Sequence, residues 1–271
     1  MVKQINLTSL EKSDVKYRID RFPDGEVQFV LTDDIDHKDE FNIRCRVTNA
    51  EELFVLLQAG DILDRHGVIW NLHITYLMGM RMDRVMSFNR PFTLKVVGKM
   101  ISQMGYAECY VDTAHSVRTM MEIRDCKSME LSPYHFLINL EPDIDLVFPD
   151  CGAVERYAHG TDDEAYFEKE RDVETGRINS FTLKNEEAII KGKHIMLYDD
   201  LCDSGGTFLG ELKILKEKYP DAKFSIRVTH IVNEKGLDNL CKNFDTVYAT
   251  ESYRDWGDVA KEKGYTNFVV V

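Results

Sequence analysis

Residues 195–207 read Ile195-Met196-Leu197-Tyr198-Asp199-Asp200-Leu201-Cys202-Asp203-Ser204-Gly205-Gly206-Thr207. The apolar run at 195–198 predicts a short buried strand. Two adjacent carboxylates, Asp199 and Asp200, end it, and a third follows at Asp203. Ser204 to Thr207 then lead into a helical pattern through Leu209, Leu212 and Leu215. A strand, a Gly-rich turn and a helix N-terminus make an anion site, because backbone N–H groups point at the anion and the helix dipole favours negative charge. Gly205 and Gly206 permit positive φ angles and close backbone approach. The acids repel that same anion and suit hydroxyls, or a cation, beside it. A plain strand-to-helix turn would account for the glycines but not for three acids at this spacing. A ligand with one phosphate and a polyhydroxyl body satisfies both halves, and a ribose phosphate is the simplest one.

Outward from this turn the pattern alternates strand and helix. On its C-terminal side, strands are predicted at 194–198, 224–230, 246–250 and 267–271, with helices at 207–218, 235–241 and 256–263. On its N-terminal side, strands are expected at 15–20, 27–31, 41–47, 68–77, 106–112 and 143–148. Helices are expected at 49–65, from Pro91 to Met104, and at 153–159. Asn49 with Glu52 three residues on resembles a capping box. Pro91 suits a first helical position, and Gly105 suits the left-handed residue that closes a helix. Alternating β and α elements imply parallel sheets covered by helices. Residues 131–143 hold two of the six prolines and mark the expected boundary between two α/β halves, 1–133 and 134–271. Residues 164–179 are highly charged and read as a mobile loop or a solvent-facing hairpin.

Composition narrows the function classes. The 271 residues carry 34 basic and 47 acidic side chains, a formal charge of −13. That balance argues against nucleic acid as a partner, since phosphate backbones need basic surfaces. The six cysteines are scattered, with no C-x-x-C pair and no zinc spacing, as expected for free thiols in a reducing cytosol. No apolar h-region opens the chain, and no run approaches the roughly 20 residues that span a bilayer. A cytoplasmic location with no membrane partner is the expectation.

Residues 195–207 resemble the phosphoribosyl-pyrophosphate motif of type I phosphoribosyltransferases and of ribose-phosphate pyrophosphokinases. Six further segments resemble the second family, in order. Phe22-Pro23-Asp24-Gly25-Glu26 resembles its F-x-D-G-E nucleotide segment. Tyr76 to Arg84 resembles its ATP segment ending in A-R-Q-D-R, with Arg81, Asp83 and Arg84 matching and Met80 and Met82 in place of Ala and Gln. Arg90-Pro91 with Thr93-Leu94-Lys95 resembles R-E-P-x-x-x-K, one residue shorter. Asp112 to His115 resembles its D-x-H segment with one extra residue. Pro149-Asp150-Cys151-Gly152 resembles P-D-x-G. Lys169-Glu170-Arg171 resembles the K-R-R of its flexible catalytic loop, with the middle Arg lost. The chain is somewhat shorter than typical members, and residues before Asp20 look unlike theirs. The overall style resembles the divergent, often phage-encoded branch.

The resemblance implies two parallel-sheet α/β halves of type I phosphoribosyltransferase-like fold, the first carrying the ATP segments and the second the ribose-phosphate and catalytic loops. It implies transfer of the β,γ-diphosphate of ATP to the anomeric hydroxyl of ribose 5-phosphate, with Mg2+, giving phosphoribosyl pyrophosphate and AMP. The same chemistry on ADP-ribose, within an NAD-rebuilding pathway, is an alternative, and a non-catalytic regulatory homologue is another. The implied ATP-binding residues are Phe22, Asp24, Glu26, Arg81, Asp83 and Arg84. Lys169, Arg171, Arg84 and His115 are the implied catalytic residues. His115 and Asp150 are implied metal ligands, direct or through water. Asp199 and Asp200 would hold ribose hydroxyls, directly or through a cation, and Asp203, Ser204, Gly205, Gly206 and Thr207 the 5-phosphate. A homo-oligomer, dimer or hexamer, is also implied.

Overall fold

A computed structural model of the chain describes residues 1–130, 132–138, 143–158, 163–171 and 178–271. They form two compact units, Met1–Glu130 and Leu131–Val271.

The first unit runs β1 (Val2–Asn6), β2 (Tyr17–Arg21), β3 (Val27–Leu31), β4 (Glu40–Val47), α1 (Ala50–His66), β5 (Trp70–Leu77), α2 (Thr93–Ser102), β6 (Cys109–Asp112), α3 (Arg118–Glu122) and β7 (Cys126–Met129). Its sheet has the order β1-β4-β5-β6-β7, every pair parallel. From β4 onward each strand lies beside the one before it, so right-handed crossovers put α1, α2 and α3 on one face. The β2–β3 hairpin is clamped to α1: the Phe29 N–H donates to Gln58 Oε1 at 2.7 Å, and Gln58 Nε2 donates to the Val27 carbonyl at 3.0 Å. The expected cap is present. Asn49 accepts from the Glu52 N–H at 3.0 Å, and the Glu52 carboxylate reaches back to the Thr48 N–H at 2.6 Å.

The second unit runs α4 (Pro133–Ile138), β8 (Asp145–Phe148), α5 (Cys151–Tyr157), β9 (Ala165–Arg171), β10 (Ile178–Lys184), β11 (His194–Cys202), α6 (Gly206–Lys218), β12 (Lys223–Ile231), α7 (Glu234–Asn243), β13 (Thr246–Ala249), α8 (Trp256–Glu262) and β14 (Phe268–Val270). Its sheet order is β10-β9-β8-β11-β12-β13-β14, parallel except for β9 with β10. One core lies between the sheet and α6, α7 and α8, through Phe208, Leu212, Leu237, Leu240 and Trp256. Another lies on the opposite face, where Phe136 of α4 and Ala153 and Tyr157 of α5 meet Phe148 and Tyr198. The chain leaves β8 toward β9 on one side and β11 toward β12 on the other. The C-terminal ends of β8 and β11 therefore flank a topological switch point, where open α/β sheets bind ligands.

Several expectations need correction. The helix expected from Pro91 starts at Thr93 and ends at Ser102, followed by Gln103 in right-handed conformation. Gly105 is no left-handed cap: its N–H donates to Asp64 Oδ2 at 3.0 Å, and a Cβ there would come within 2.2 Å of Asp64 Oδ1. The strand expected at 194–198 continues to Cys202, because pairing with β12 continues through Leu201 and His230 to Cys202 and Ile231. β1, β7, α3 and α4 were not anticipated. The charged region 164–179 contributes two hairpin arms, while residues 172–177, and His159 of the expected 153–159 helix, lie outside the described residues. Among the described residues, no helix is long and apolar enough to cross a membrane.

Candidate functional site

In the second unit, the switch point gathers acids from three elements. Because β11 continues through Asp199 and Asp200, alternation sends their side chains to opposite faces. Asp200 is buried on the α5 side, with its Oδ1 2.8 Å from Arg156 Nη1. Asp199 lies on the α6 side and accepts the Asp200 N–H at 2.8 Å. Burial, and then the charge of Asp200, push the Asp199 carboxyl well above the ordinary carboxylate range. Asp150 follows β8 and caps α5, accepting the Ala153 N–H at 3.1 Å. Lys169 Nζ donates to Asp150 Oδ2 at 2.8 Å. Burial alone would raise the Asp150 carboxyl, but the Lys169 ammonium outweighs it and holds that carboxyl below its usual range.

Lys169 was expected in a closing loop. It lies instead in β9, where Ala165 and Phe167 turn the same strand face into the core, so its ammonium points inward. The backbone of Arg171 ends β9, and its side chain lies outside the described residues.

The turn at 203–206 is held by α7. Asn239 Nδ2 donates to the Ser204 carbonyl at 2.8 Å, and Asn233 Nδ2 to Asp203 Oδ1 at 3.3 Å. Gly236 must lack a Cβ, which would fall 2.0 Å from the Asp203 carbonyl oxygen. Gly205 has φ +78° and precedes Gly206, the first residue of α6. The first turn of a 13-residue helix thus opens at Gly206 and Thr207, as an anion seat requires.

In the first unit, a cavity of about 480 Å3 is lined by Arg81, Met82, Asp83, Arg84, Arg90 and His115, among others. Three arginines against one aspartate suit a polyanion, and planar guanidinium forks suit phosphate. Asp83 is buried, and the hydrogen bond from Arg84 Nε, 2.9 Å from its Oδ1, lowers its carboxyl. Arg118 Nη1 donates to the Asp83 carbonyl at 3.4 Å. Thr113, two residues before His115, has φ +37°, an unfavourable angle for a β-branched residue of the kind that clusters at functional sites. The Phe22–Glu26 segment is the β2–β3 turn. Phe22 and Glu26 pair through the backbone at 2.9 Å, and Asp24 Oδ1 accepts the Glu26 N–H at 3.1 Å. None of Phe22, Asp24 and Glu26 lines the 480 Å3 cavity.

His115 and Asp150 belong to different units, and no group of three His, Cys, Asp or Glu capable of holding a metal occurs among the described residues. Asp150 engages Lys169 and the Ala153 N–H, so the donors fit a cation carried mainly by phosphate oxygens rather than a resident ion.

Sequence reading missed Arg156, Glu211, Asn233, Gly236 and Asn239. Glu211 alone left a local signal, since it interrupts the apolar stripe of α6.

Two parallel-sheet α/β units, one with acids and a glycine turn at its switch point, define a type I phosphoribosyltransferase-like fold. The whole chain superposes on 94% of the crystal structure of phosphoribosylpyrophosphate synthetase from Mycobacterium smegmatis, with a TM-score of 0.78 and 17% sequence identity. Proteins named ribose-phosphate pyrophosphokinase are similar in sequence. The one from Helicobacter hepaticus is 27% identical, over 88% of this chain and 79% of that protein. Those from Pyrococcus abyssi and Marinomonas sp. are 25% and 29% identical, over 88% and 82% of this chain and 84% and 73% of theirs. No family model matches the chain. Across most of its length the chain is similar to the ribose-phosphate pyrophosphokinases, the family its motifs resemble.

Proposed function

We propose that the chain is an ATP-dependent diphosphokinase that transfers the β,γ-diphosphate of ATP to the anomeric hydroxyl of ribose 5-phosphate, releasing AMP. The observation that carries this reading is the switch point of the second unit, where Asp150, Asp199 and Asp200 stand beside an anion turn braced by α7. The names of the sequence relatives point the same way. The turn at 203–207 takes the 5-phosphate, and Asp199 takes ribose hydroxyls. The arginine-lined cavity of the first unit takes the polyphosphate. Diphosphate transfer builds charge on non-bridging oxygens, so catalysis rests on positioning and cationic groups. Lys169, Arg171 and Arg84 are the protein's cations for that task. Mg2+ bound with the polyphosphate would neutralise further charge, with His115 and Asp150 its proposed ligands, direct or through water.

Incubation with ATP and Mg2+ plus either ribose 5-phosphate or ADP-ribose, scored by AMP release, tests the reading. AMP is expected with ribose 5-phosphate. AMP with ADP-ribose alone would move the acceptor while keeping the chemistry. No AMP with either would leave a non-catalytic homologue.

A further inference from the structure

Helix α6 carries an acid where its core stripe calls for an apolar side chain. Phe208, Leu212 and Leu215 are buried on one face, and Glu211 sits among them with 0% exposure. Neither of its carboxyl oxygens has a hydrogen-bond partner among the described residues. Such a group is costly to keep, and an apolar residue of similar size would complete the stripe. The cation facing it is Lys169, whose Nζ lies 3.9 Å from Glu211 Oε1 and 2.8 Å from Asp150 Oδ2.

A lysine on a strand next to the sheet edge ordinarily extends its four-carbon stem toward water. Lys169 does not: its side chain is only 12% exposed, although Asp150, its hydrogen-bonded partner, is 48% exposed. Asp150 by itself would let the ammonium follow it outward. Glu211 supplies carboxyl oxygens on the inner side.

We propose that Glu211 is a positioning residue that holds the Lys169 ammonium inside the switch-point crevice, between itself and Asp150, where phosphate oxygens of a substrate can meet it. This rests on the diphosphate-transfer reading for its catalytic consequence but not for the placement of Lys169. Burial drives the Glu211 carboxyl well above its ordinary range, and Asp199 and Asp150 push the same way. Lys169 alone opposes them, so the acid and the ammonium support each other.

The test compares wild type with Glu211→Leu and Glu211→Gln in two measurements. Acetylation of Lys169 by acetic anhydride, followed by peptide mass spectrometry, reads how firmly the ammonium is held, whether or not the protein turns over. Kinetics with ATP and ribose 5-phosphate read its use. Glu211→Leu is expected to keep its unfolding midpoint, to acetylate at Lys169 several-fold faster, and to lose about tenfold in kcat with both KM values within about twofold. Glu211→Gln keeps an acceptor oxygen and should recover most of both. Unchanged Lys169 acetylation in Glu211→Leu, or an unchanged kcat in that variant when the wild type turns over, overturns the proposal. A wild type that releases no AMP overturns the functional reading, while acetylation still decides the placement. Should Glu211→Leu not fold, Glu211→Ala is read by the same criteria.

Discussion

Asp199 and Asp200 are neighbours in sequence with opposite surroundings. Asp200 is paired with Arg156, whose side chain is 19% exposed, so Asp200→Asn leaves a largely buried guanidinium without its counter-charge. Breaking such a pair costs about 3–5 kcal/mol. Asp200→Asn should therefore lower the urea midpoint as well as activity, whereas Asp203→Asn should lower activity with little change in stability. Equal midpoints for the two variants would remove Arg156–Asp200 from the supports of the fold. Glu211 gives a pH signature. Its folded carboxyl lies above its ordinary value of 4.5, so its contribution to stability is full below that value and is lost as pH rises through the folded one. Relative to wild type, Glu211→Gln should gain stability as pH climbs from 4.5 toward neutral. Urea unfolding at several pH values measures the gap, and a gap that narrows with rising pH contradicts the assignment.

At the scale of elements, the anion turn between β11 and α6 depends on α7. Gly236→Ala drives a methyl into the Asp203 carbonyl, which must shift. Overpacking of this kind costs about 1–3 kcal/mol. The expected outcome is a raised KM for ribose 5-phosphate with KM for ATP unchanged, because the displaced segment is the phosphate seat. Asn239→Ala, which removes the donor to the Ser204 carbonyl, should act in the same direction and more weakly. A variant that raised KM for ATP alone would place the turn elsewhere in the reaction.

At the scale of the whole molecule, each unit has its own sheet and its own candidate ligand seat. Hydrogen exchange with one ligand at a time should separate them. Ribose 5-phosphate should protect amides at 199–207 and 233–239. A non-hydrolysable ATP analogue with Mg2+ should protect those at 81–91 and 113–116. Protection of 199–207 by the nucleotide, with none at 81–91, would reverse the assignment of the cavity. Arg84→Ala should weaken nucleotide binding and flatten its salt dependence, since exposed charge contacts are screened by salt.

The alternation of strands and helices, the Asn49 cap and the acid-rich glycine turn were all legible in the chain. Helical and strand periods and turn chemistry are expressed by neighbours a few residues apart, whereas the place of Glu211 among Phe208, Leu212 and Leu215 went unread. The register of β11 against β12 was not legible, and it alone carries the strand to Cys202 and sends Asp199 and Asp200 to opposite faces. Nor was the inward turn of Lys169, which follows from β9 lying between β8 and β10. The Arg156–Asp200 pair and the bracing of Ser204 by Asn239 join residues 44 and 35 positions apart. Periodicity along the chain sets which faces are apolar. Which acid meets which cation, and which glycine must admit a carbonyl, is settled only when packed sheets and helices bring distant residues within hydrogen-bond reach.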